Sequence, residues 1–130
     1  MQQSALEWHD TTLCALEPRA SDVAIELDAY VHISEGIPGR DSGTGWGQAI
    51  EIVITSATVS GGVEQDARLS DGRLRVNGRD YEGLLPVPFS ATGGVRLDLE
   101  AGSQSVSICG SDIRVIAVGE PVFVEKFPGA

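Results

Sequence analysis

The sequence predicts an all-β, mainly antiparallel domain: a single-domain β-sandwich or partly open barrel of about eight or nine short strands. Three observations predict it. Apolar residues recur with a period of two along most of the chain. Turn-forming dipeptides separate these runs at intervals of roughly 8–12 residues. No window carries the period of about 3.6 that marks an amphipathic helix. At most one short helix is expected, within Glu64 to Arg68.

Taken in chain order, the first run is the apolar stretch Leu13-Cys14-Ala15-Leu16, closed by the turn chemistry of Pro18-Arg19-Ala20-Ser21-Asp22. The second is the cleanest. Val23, Ile25, Leu27, Ala29, Val31 and Ile33 alternate with Glu26, Asp28, Tyr30 and His32. Successive side chains of a strand point to opposite faces, so one face is dry and the other wet. Ile50, Ile52 and Ile54 repeat the pattern, with Val53 and Ala57 also apolar, so that strand is expected to be covered on both faces. Leu74 and Val76, Val95 to Leu99, Val106 and Ile108, and Ile113 to Ala117 are further strands.

Gly61-Gly62, Asp71-Gly72, Asn77-Gly78, Gly93-Gly94 and Ala101-Gly102 are the expected turns between them. Asn77-Gly78 is the sharpest, because a type I′ turn needs positive φ at both central residues. It predicts antiparallel pairing of Arg73-Leu74-Arg75-Val76 with Arg79-Asp80-Tyr81-Glu82. Pro86 and Pro88 cannot donate to a ladder, so Leu84 to Phe89 reads as an edge strand, a bulge or a crossing.

At 130 residues the chain makes one domain, 1–130, with no second boundary. Nineteen acids against nine Lys and Arg leave a net charge of −10, which opposes a nucleic-acid partner. The N-terminus has neither a basic n-region nor an apolar h-region, so no signal peptide is expected and the localisation is read as cytoplasmic. No apolar stretch approaches the ~20 residues of a membrane span. Cys14 and Cys109 lie in apolar runs and are expected to be free thiols in a reducing compartment.

Segment 34–47 holds five glycines in fourteen residues and is expected to be a flexible loop between two strong strands. Gly43-Thr44-Gly45-Trp46-Gly47 lacks the Lys and the following helix of a phosphate-binding loop. A tryptophan on such a loop suits a contact surface, so Trp46, with Arg40 and Asp41, is a candidate for binding a partner. Trp8, His9 and Asp10 form the most distinctive tripeptide and are further candidates for binding a partner. A His beside a carboxylate can serve as a general base or ligate a metal. Neighbours on a strand face opposite ways, however, and His9, His32, Cys14 and Cys109 show no metal-ligand spacing. Asp10 is therefore read as capping a turn and His9 as hydrogen-bonded in the structure, with no metal and no cofactor. Glu26 and Asp28 share a strand face and read as a solvated pair. There is no nucleophile elbow, and no catalytic residue is assigned.

Trp8-His9-Asp10, then Leu13 to Leu16, then Val23 to Leu27, together with the closing run Ser107 to Val115, resemble a broad group of small, uncharacterised bacterial β-proteins that open on an aromatic-His-Asp motif. The glycine-rich insertion after Ile33 departs from that pattern. Some of the group are regarded as immunity-type partners of bacterial toxins, which implies a binding role without catalysis. The reading is thus an acidic, non-enzymatic protein-binding domain, immunity-type or accessory, whose partner has a basic surface. The alternative is a metal-dependent or small-molecule enzyme in which folding gathers His9, Asp10 and His32.

Overall fold

The computed structural model describes residues 2–128 and is all-β, without a helix among them. Eleven strands form one antiparallel sheet, curled into an open half-barrel. They are β1 (Gln3–Arg19), β2 (Asp22–Ser34), β3 (Gly43–Thr55), β4 (Thr58–Gly62), β5 (Ala67–Arg68) and β6 (Asp71–Val76). β7 (Arg79–Glu82), β8 (Leu84–Pro86), β9 (Phe89–Ala101), β10 (Gln104–Ala117) and β11 (Val122–Phe127) follow. The main path is β5-β1-β2-β3-β10-β9-β6-β7, with β8 added to β1, β4 to β10 and β11 to β3.

The expected fold class stands, and the strand count rises from eight or nine to eleven. The odd-numbered residues of β2 face the core as the alternation demands: Ile25, Leu27, Ala29 and Val31 are all buried, while Glu26 and Asp28 are exposed. Each buried Leu or Ile removes enough apolar surface from water to stabilise the fold by about 1.5–3 kcal/mol. The outer face of β3 is less covered than expected, since Val53 is only half-buried and lines a shallow hollow with Thr55 and Arg114.

Asn77-Gly78 makes the turn the dipeptide predicts. Val76 pairs Arg79 and Arg73 pairs Glu82, with φ of 52° at Asn77 and 80° at Gly78. Three other expected turns lie inside strands instead. Gly61-Gly62 ends β4 against Ser105 and Val106, Gly72 sits in β6 opposite Leu99, and Gly93-Gly94 is a bulge in β9. A glycine is also what a crowded or bulged strand position requires, and composition alone does not separate that use from a turn. The expected helix at Glu64 to Arg68 is a turn followed by β5. Pro86 lies opposite Ala5 on the edge of β1, and the chain then crosses to pair Phe89 with Val115.

Closure of the curl falls on β1. Its free edge takes β8 over Ala5–Glu7 and β5 over Thr12–Leu13. Between these, Trp8 donates its amide to the Gly83 carbonyl at 3.0 Å, and the Leu69 amide donates to Thr11 at 2.8 Å. No helix among the described residues is long and apolar enough to cross a membrane.

Candidate functional site

The Trp8-His9-Asp10 motif is a wide bulge. Opposite the step from Tyr30 to Asp28 on β2, β1 advances from Glu7 to Thr12. Asp10 sits at φ 76°, a left-handed conformation that Asp tolerates better than most residues. The fully buried Thr11 ties the bulge together: its hydroxyl donates to the Glu7 carbonyl at 2.6 Å and accepts from the Tyr30 amide at 3.3 Å.

The bulge turns Trp8 inward and leaves His9 and Asp10 outside together. Trp8 is fully buried against Gly72. His9 is exposed, and its Nδ1 lies 3.4 Å from Asp10 Oδ2. This corrects the expectation that the two residues face opposite ways, because bulged backbone does not alternate. Asp10 also accepts a hydrogen bond from Arg68, which, with His9 adding, holds its carboxyl below the usual range against the opposing effect of burial.

The second half of the site lies on the outer face of β2, where Tyr30 and His32 stack edge to face with ring centres 5.1 Å apart. His32 Nε2 is 3.5 Å from Glu7 Oε2 on β1. Folding therefore pairs His9 with Asp10 and His32 with Glu7, two separate pairs in place of the single cluster of His9, Asp10 and His32 that the alternative reading required. Among the described residues no group of three or more His, Cys, Asp and Glu is placed to hold a metal. Cys14 and Cys109 are free and half-buried, on β1 and β10.

Across β2 the floor is glycine. Tyr30 pairs Gly47, His32 pairs Gly45 and Ser34 pairs Gly43. The segment read as a loop from Ser34 to Gly47 is thus a loop only from Glu35 to Ser42, Ser34 being the last residue of β2. From Gly43 it is the start of β3, with its glycines at every second residue on one face. With no side chain at Gly45, the Tyr30 hydroxyl reaches diagonally over β3 to donate to Glu125 of β11. Burial, the hydrogen bond to Glu125 and the negative charge of that carboxylate together push the Tyr30 phenol well above its ordinary value. A tyrosine held neutral in this way is a fixed donor, whereas a general base or nucleophile needs the opposite shift.

Trp46 is not on a loop tip. It lies in β3, half-buried, with its indole N–H donating to Thr44 Oγ1 at 2.8 Å. Its ring meets Phe123 of β11 edge to face at 5.3 Å. Arg40 and Asp41 sit in the preceding turn, where Asp41 accepts the Ile37 amide at 2.6 Å and pairs with Arg40 at 3.5 Å. The Ile37 amide and the Arg40 guanidinium hold the Asp41 carboxyl below the usual range.

Sequence reasoning missed β11. It is a short apolar run between Pro121 and Pro128, and Val122, Phe123 and Val124 are 67%, 50% and 53% exposed. The period-two glycines of β3 were the available signal, because a strand whose outer face lacks side chains makes room for neighbours that lean across it. Compared with known proteins, the chain matches no family model, no curated protein and no solved structure.

Proposed function

We propose that this chain is an acidic, non-enzymatic β-domain that binds a partner protein presenting a basic surface, an immunity-type or accessory role being its concrete form. One observation carries the reading: three consecutive large apolar side chains, Val122, Phe123 and Val124, stand at least half exposed on a strand anchored through Trp46. Large apolar side chains left exposed together along one strand mark interaction sites on soluble proteins. Phe and Trp supply contact area at small entropic cost. A net charge of −10 adds long-range attraction for a basic partner and disfavours nucleic acid. A cytoplasmic location, where Cys14 and Cys109 remain thiols, accords with this role.

The test is capture from a bacterial lysate at low salt and at about 0.5 M salt, where the screening length falls to a few ångströms. A partner should be retained at low salt, be lost at high salt, and fail to bind Phe123→Ser of unaltered circular dichroism. No capture at low salt, or capture indifferent to both salt and Phe123→Ser, rules the reading out.

A further inference from the structure

We infer that the free edge of β11 is where the partner docks, by adding an extended, Lys- or Arg-bearing strand that pairs backbone to backbone with Val122–Phe127. The inference rests on the binding role above and supplies its mode. Three features of β11 converge on it. First, β3 is the only strand it pairs with among the described residues, so half of its backbone N–H and C=O groups point away from the sheet. Second, its apolar residues are exposed on both faces. Val122 lies opposite Gly47 on the face that carries Tyr30, and Phe123 lies opposite Trp46 on the face that carries Val31. Strands with apolar side chains on both faces are ordinarily covered on both, as interior strands are.

Third, the other end of the sheet shows how this fold guards an edge that stays free. β7 presents Arg79, Asp80 and Glu82, charged residues that discourage pairing. β11 has a bulge at Val124, a Glu125 turned back over β3 to Tyr30, and a single lysine, Lys126, near its end. The charge around it selects the occupant. Glu120 and Glu125 flank the apolar run, and Glu35 and Asp41 share a hollow with Lys126. A second copy of this chain would bring another −10 to the same place, whereas a strand with cationic side chains is attracted along its length. Added strands draw affinity from main-chain bonds and specificity from alternate side chains. A basic and apolar alternation is the pattern that fits a valine–phenylalanine strip rimmed by carboxylates.

The probe is a capped heptapeptide alternating valine and arginine, used with the full chain. Two matched peptides accompany it, one with glutamate in place of arginine and one N-methylated at alternate residues. The arginine peptide should slow amide hydrogen exchange of β11 at least about tenfold at saturation, and N-methylation should weaken it at least about tenfold. The glutamate peptide should not bind.

Binding that tolerates N-methylation, protection that appears on β4 or β7 in place of β11, or self-association of the chain in its stead each overturns strand addition. So does no binding by the arginine peptide at concentrations up to about 1 mM. Strand addition and the binding role fail separately. If the lysate partner is captured with salt and Phe123 sensitivity while the peptide series shows no backbone dependence, the role survives and this mode does not. If nothing is captured, the role itself falls.

Discussion

The indole of Trp8 occupies the space in which a side chain on Gly72 would stand: a Cβ there would lie 2.6 Å from both Cγ and Cδ2 of the ring. Gly72 is buried in β6 opposite Leu99, and Trp8 leaves β1 at the bulge, so this contact joins the ends of the curled sheet. Gly72→Ala should therefore destabilise the fold by about 1–3 kcal/mol, the usual cost of overpacking a core. In a Trp8→Leu background the added methyl has room, and the two changes should couple by about 0.5–3 kcal/mol in a urea-denaturation cycle. The Trp8 indole N–H meets no acceptor among the described residues, so the coupling reports shape rather than a lost hydrogen bond. Additive costs would show that the seam is held elsewhere.

Thr11 replaces two ladder partners with one hydroxyl, accepting from Tyr30 and donating to Glu7 while fully buried. Thr11→Val keeps the volume and leaves an amide and a carbonyl unpaired, at a cost of about 1–3 kcal/mol. Thr11→Ser keeps both bonds and should lose less than half of that. Equal losses for the two variants, measured as urea midpoints at constant m, would assign the effect to packing.

How much of this was legible in the sequence follows from what period two can and cannot say. Val23 to Ile33 announced β2 and its buried face, because alternation is a property of each residue in turn. Asn77-Gly78 announced its hairpin, because positive φ at both positions admits few dipeptides. Gly93-Gly94 and Gly72 misled for the converse reason: glycine reports only that a side chain is missing. Whether a bulge or a packed indole required that depends on Asn77 and Trp8, distant in sequence. The site fared worse. Tyr30 and Glu125 are 95 residues apart, and nothing local to either announces that Gly45 lies between them. His9 and Asp10 were adjacent and visible, but their pairing depends on a bulge that the alternation rule denies.

Acid should weaken the network on the outer face of β6, β9 and β10. Burial works to raise the Asp98 carboxyl, yet Ser107, donating at 2.5 Å, and Arg96 at 3.1 Å outweigh it and hold the carboxyl below the usual range. For a carboxylate depressed in the folded state, the stabilisation is present above its unfolded pKa of about 3.9 and is lost as pH falls through the folded value. Its size should be under about 1 kcal/mol, because Asp98 is 35% exposed and solvent screens the pair. Urea midpoints between about pH 5 and pH 2 should fall less steeply for Asp98→Asn than for the parent. Parallel curves would remove Asp98 from the acid response.

Tyr30 predicts the alkaline side. Burial and the hydrogen-bonded Glu125 both favour the neutral phenol, so its folded pKa lies above the unfolded value of about 10. Its stabilisation is then complete below about pH 10 and lost as pH rises from there through the folded value. The chain has two tyrosines, so phenolate absorbance resolves the assignment. Tyr30→Phe should remove the component that ionises above the ordinary range. Glu125→Gln keeps an acceptor but removes the negative charge. Burial still opposes the phenolate, so the late component should move toward pH 10 without reaching it. The same variant should loosen β11, because the Tyr30 bond spans from β2 to β11 over the bare surface of Gly45, and β11 amides should exchange faster with no change in β2. A titration in which Tyr30 ionises near pH 10 would show that Glu125 does not hold it in solution, and would leave β11 secured by its ladder to β3 and the Trp46–Phe123 contact.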